Sequence, residues 1–222
     1  MNINLFTFFY MYLLPVPGLI LAFYLHEYAK AALSYRLGDK TLKLKGWLSP
    51  NPFKHQEPIG FVFGLVYGFG WGRPTPTSAT YYKDRRRGVL AVYIAPSLVN
   101  VIFSLVLAIG LYVWKIVFPG AAASWLTTPG ILPVLYLMLY LLIYKAATVS
   151  LAVALFNIIP IYPLDGSKIL QLLLPYQTAA KVNQYEKILQ LLLIFLVIFG
   201  IIPGIIQPVC NLVLGFASFP GL

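Results

Sequence analysis

Residues 88–118 and 131–158 are two apolar runs, each longer than the roughly 20 residues a helix needs to cross the hydrocarbon core of a bilayer. No other feature constrains the fold as strongly. Inside lipid no water meets a backbone N–H or C=O. A spanning segment must therefore satisfy these groups itself, as a helix or as part of a closed barrel. Two further runs, residues 5–35 and about 188–215, carry the same signal with interruptions. These are Pro15, Pro17 and Gly18 in the first run and Pro203-Gly204 in the second. The chain is 60% hydrophobic and only 10% charged, which suits an integral membrane protein and not a soluble domain. The expected fold is an all-α polytopic membrane protein, with one transmembrane domain over residues 1–222.

The breakers divide the runs. Proline removes a ladder donor and clashes with the preceding turn. The first run therefore reads as a short lead-in to about residue 14, then a helix over about 16–37 with Gly38 as its C-terminal cap. Leu42, Lys43, Leu44 and Lys45 alternate, which predicts a short strand at the membrane surface. Residues 58–72 are apolar and glycine-rich but short, and predict a re-entrant segment whose backbone must be covered by protein. Pro96 is expected to interrupt the 88–118 span. Residues 164–175 should form a short helix stopped by Pro175, and the last run should break at Pro203-Gly204. The N-terminus has neither a basic n-region nor an A-x-A pattern, so a cleaved signal peptide is not expected. The one cysteine, Cys210, cannot close an internal disulfide and reads as a small apolar residue of a span.

Charge orients the spans. The net charge is +10, but the basic residues lie in short loops, which points to topology and anionic lipid and away from nucleic acid. The segment Arg36 to Arg87 holds ten of the sixteen basic residues, whereas residues 119–130 hold none. The positive-inside rule makes the first loop cytoplasmic and the second extracytoplasmic, with the N-terminus outside. The stretches LHEYAK (residues 25–30) and YPLDG (162–166) then lie at the cytoplasmic ends of their spans.

Those two stretches carry the candidate chemistry. Of six acidic residues, Glu27 and Asp165 sit in or beside apolar spans, where an ionisable group normally has a partner or a function. Lys30 lies one helical turn from both His26 and Glu27. A helical H-E-x-x-H places two zinc ligands on one face with a general base between them. Here the stretch reads H-E-x-x-K.

Read together, LHEYAKAALSYRLGD, the K-H-Q-E-P-I-G stretch with His55 and Glu57, FGWGRPTPT with Trp71, Gly72 and Pro74, APSLVN, and NIIPIYPLDG resemble the site-2 protease family of intramembrane zinc metalloproteases. The likeness is greatest to its small prokaryotic branch. It implies a cell-membrane protein that handles membrane-spanning segments of other proteins. It also implies that His26 is the first zinc ligand, Glu27 the general base, Asp165 the third ligand, and Asn157 a residue that contacts the substrate backbone.

The departure is Lys30, which stands where the family has its second zinc histidine. Catalytic zinc takes three protein ligands and an open water position, and His26 and Asp165 supply two. Two readings follow. In the first, the Lys30 ammonium, Glu27 and Asp165 form an ion cluster that replaces the metal. The zinc ligands and Glu27 are then vestigial, no cofactor is expected, and the protein binds membrane-spanning segments without cutting them. In the second, an active zinc protease has an altered shell, completed by His55 or by a neutral Lys30. His55 also has a simpler role open to it, a hydrogen bond within its own loop. A transporter or channel fits less well, because the intramembrane charges cluster on one side.

Overall fold

The computed structural model describes residues 8–118 and 130–218. The uncharged loop expected at 119–130 lies, apart from Gly130, outside the described residues. Helix α1 runs over Val16–Arg36, preceded by a wider helical turn at Phe9–Leu13. The lead-in and α1 together form one apolar stretch of 28 residues. Pro15 and Pro17 fall at the start of α1, where a missing N–H costs no ladder bond. At the other end, Gly38 (φ +124°) reverses the chain. The Asp39 N–H reaches back to the Ser34 carbonyl at 3.1 Å, closing the helix as a glycine cap should.

The strand expected near residues 42–45 is a single helical turn, α2 (Thr41–Leu44). The cause lies just upstream. One Asp39 carboxylate oxygen accepts from both the N–H (3.2 Å) and the hydroxyl (2.6 Å) of Thr41, so the backbone is captured into a turn before alternation can act. Leu42 is buried and Leu44 is exposed. Among the described residues there is no strand.

The apolar segment after residue 57 is helix α3 (Pro58–Tyr67), capped by the Glu57 carboxylate on the Gly60 N–H at 2.7 Å. Backbone without regular secondary structure then returns beside it over residues 69–78. At ten residues α3 is about 15 Å long, half a bilayer core, as a re-entrant piece requires.

Two long helices complete the centre, α4 (Arg85–Val117) and α5 (Ile131–Ile158). Pro96 sits inside α4 without ending it. α1, α4 and α5 pack on one another. Lipid tails offer no hydrophobic drive for helices to associate, so close approach and interhelical hydrogen bonds carry the contact. Here three buried serines donate across the α4–α5 seam. Ser97 bonds the Ala154 carbonyl at 3.2 Å, Ser104 that of Ala147 at 2.7 Å, and Ser150 that of Asn100 at 3.1 Å.

Beyond α5 come α6 (Asp165–Leu173), α7 (Tyr176–Gln184), α8 (Glu186–Ile198) and α9 (Ile201–Leu214). α8 and α9 meet at a bend of 61°. The break falls at Gly200 (φ +75°), three residues before the Pro203-Gly204 expected to make it. Pro203 is accommodated in the first turn of α9, where its ring has no preceding turn to clash with. Among the described residues three helices are long and apolar enough to cross a membrane, or four if the bent pair counts as one span.

Candidate functional site

The fold brings the distant stretches to one point. His26, Glu27 and Lys30 share the buried side of α1, at 1%, 3% and 4% exposure. Asp165 opens α6 directly opposite. It can do so because Gly166 lets the start of α6 press on the end of α5: a Cβ there would lie 2.0 Å from the Ile158 carbonyl oxygen. Asp165 then accepts from His26 Nε2 through Oδ2 (2.9 Å) and from Lys30 Nζ through Oδ1 (2.7 Å). The same ammonium donates to Glu27 Oε1 at 3.3 Å and lies 5.6 Å from the centre of the Tyr93 ring. Lys30 thus sits between the two carboxylates and bridges them.

Each carboxylate is satisfied on its other side. Glu27 Oε2 accepts from the Thr75 N–H (2.9 Å) and the Thr75 hydroxyl (2.8 Å). A carboxylate only accepts, so His26 presents Nε2–H to Asp165 and leaves Nδ1 as an acceptor. The Asn100 amide nitrogen lies 3.5 Å from that Nδ1. The Asn100 Oδ1 is buried without a hydrogen-bond partner among the described residues.

Asn157 is buried at the end of α5. Its amide donates to the Val153 carbonyl at 2.8 Å and reaches toward the Gly70 carbonyl at 3.5 Å. It therefore holds the irregular 69–78 segment, which also presents Thr75 to Glu27, against α5.

His55 is elsewhere. Its Nε2 bonds the Ser49 carbonyl at 3.3 Å, and its ring stands edge-on to Tyr24, Tyr28 and Trp47. Burial pushes its pKa below the ordinary histidine range. None of its hydrogen bonds or ring contacts reaches His26 or Asp165. Glu57 is a helix cap, and Trp71 stacks near Phe156.

The donor set can be tested against zinc. His26 and Asp165 face each other, but the third position holds an ammonium that is hydrogen-bonded to Asp165 itself. Among the described residues no group of three His, Cys, Asp or Glu side chains converges. The residues present fall one ligand short of a catalytic zinc shell.

Two participants lay outside the motif residues. Thr75 belongs to the RPTPT stretch and Asn100 to APSLVN, but neither residue had an assigned role. A lone amide in an apolar span was the one available signal for Asn100, since such groups seek partners in lipid. Thr75 gave no signal, because its contact depends on how the irregular segment threads past α1.

The sequence model of peptidase family M50 matches residues 5–200. The protein named "Putative zinc metalloprotease YwhC", from Bacillus subtilis (strain 168), is 33% identical over 196 residues, covering 87% of this chain and 84% of that protein. No solved structure matches.

Proposed function

The chain belongs to peptidase family M50, the site-2 protease family of intramembrane metalloproteases, and from that premise we propose a relative that engages membrane-spanning segments without hydrolysing them. One observation carries this reading: Lys30 Nζ lies within hydrogen-bond distance of both Asp165 and Glu27. A zinc protease of this type needs a dication between its ligands and a free carboxylate to take a proton from bound water. In this reading a side-chain cation holds the place of the dication, and the carboxylate of the base accepts three hydrogen bonds at once. The vestigial ligands are His26 and Asp165 and the vestigial base is Glu27. Asn157 and the 69–78 segment remain as the wall against which a client segment lies.

The test is direct. The purified protein, supplied with zinc and reconstituted with a membrane-spanning peptide, is expected to leave the peptide intact. A photo-cross-linker at Ile59, on the exposed face of α3, should capture that peptide uncut. Cleavage that disappears in Glu27→Gln would overturn the proposal.

The orientation belongs to the same reading. The basic 36–87 loop faces the cytoplasm and residues 119–130 face out. On a Cys210→Ala background, a cysteine at position 124 should react with an impermeant maleimide in intact cells. One at position 45 should react only after permeabilisation. The reverse pattern would invert the topology.

A further inference from the structure

One half-buried cation has no role in the site above. Lys145 lies on α5, fourteen residues after Ile131 and thirteen before Ile158. At 1.5 Å per residue that is about 20 Å from either end, farther than a lysine stem can snorkel. Such a group in a membrane normally has a counter-charge, and no acidic side chain among the described residues supplies one. All six acidic side chains are engaged elsewhere. Glu27 and Asp165 hold Lys30, Asp39 holds Thr41 and Ser78, Glu57 and Asp84 cap helices, and Glu186 faces Lys168. Among the described residues Lys145 makes no ion pair. Its one partner is the face of the Tyr10 ring, 3.8 Å from the ammonium.

The surroundings are mixed in polarity and open. Lys145 lines a cavity of about 350 Å³ with Tyr12, Thr148, Gln207, Cys210 and Asn211. Gln207 and Asn211 stand four residues apart on one face of α9, and both are exposed. Neither side chain makes a hydrogen bond among the described residues. Met11 and Val66, at the rim, are exposed as well, so the cavity opens on the outer surface of the bundle.

We propose that Lys145, Gln207 and Asn211 form a docking notch for a carboxylate side chain carried on the membrane-spanning helix of another protein. An ammonium and two amides can all donate, which is the chemistry of carboxylate recognition. Depth selects the source. A phospholipid headgroup belongs at the interface, roughly 15 Å from the midplane, whereas an Asp or Glu in the middle of a helix arrives at the level of Lys145. A second copy of this chain is a poor occupant, because its six acidic residues are committed in the same way. The inference rests on the reading that the protein engages membrane-spanning segments, and it names the feature by which a client is chosen.

The test uses synthetic leucine-rich membrane-spanning peptides that carry Asp, Asn or Leu at the centre, or Asp near one end. Binding to the full-length protein is followed by energy transfer in phosphatidylcholine vesicles, with and without phosphatidylglycerol. The central-Asp peptide should bind roughly tenfold more tightly than the central-Leu peptide, and central Asp should outrank terminal Asp. Lys145→Met should erase the preference. Lys145→Glu should transfer it to a central-Lys peptide, a gain that misfolding cannot produce. Equal binding of all peptides to the wild type, or binding of none, would overturn the notch. So would a preference abolished by phosphatidylglycerol, which would assign the site to lipid. Cleavage of any peptide would count against the non-hydrolytic reading and leave the notch standing.

Discussion

Lys30→His is expected to bind one zinc per chain, and the wild type is expected to bind none. The substitution acts twice. It withdraws the ammonium from Asp165 Oδ1 and Glu27 Oε1, and it supplies an imidazole four residues after His26 on the same helical face. Three ligands would then surround an open position, with Glu27 already held beside it by Thr75. Asn100 is ready for the change. Turned over, its amide would offer the unpartnered Oδ1 to a proton on His26 Nδ1, which frees Nε2 for metal and fixes the tautomer. Zinc stoichiometry should be measured on the wild type, Lys30→His and Lys30→His/Asp165→Ala side by side. Zinc in Lys30→His alone is the expected pattern. Equal zinc in all three would mean that His26 and Asp165 do not form a ligand pair.

The second large effect is on stability. Lys30→Met removes the one cation between two buried carboxylates, and a buried charge left without its partner costs about 3–5 kcal/mol. Unfolding in micelles should register that loss. Lys30→Met/Asp165→Asn should recover much of it, because the second change removes a charge while an amide oxygen still accepts from His26. A double variant no more stable than Lys30→Met would show that the two residues are not energetically coupled. The cluster need not be a net source of stability. Buried ion pairs often do no better than apolar residues of the same shape.

Much of this was legible in the chain, for reasons that differ from element to element. The limits of α5 follow from the apolar run itself, because lipid leaves the backbone no alternative to a helix. The meeting of α1 with α6 was legible through two stretches placed at the same depth by charge. The short elements were less so. Four alternating residues at 42–45 cannot separate a strand from one helical turn, and the Asp39 side chain decided it. Pro203-Gly204 looked like the stronger breaker, yet Gly200 makes the bend because a proline is harmless in a first turn. Thr75 was invisible as a site residue, since its partner lies 48 residues away and the contact depends on the threading of a segment with no periodicity, whereas Asn100, 74 residues from His26, offered only the signal of a lone amide in an apolar span.

The central claim is that a lysine ammonium, and not a metal ion, joins Glu27 to the His26–Asp165 pair in this protein. The most direct measurement is metal content of the wild type, purified without chelators from zinc-replete cells and assayed by plasma mass spectrometry against protein concentration. The account predicts well under one zinc per chain, unchanged in Asp165→Ala. One zinc per chain, lost in both His26→Ala and Asp165→Ala, would contradict it.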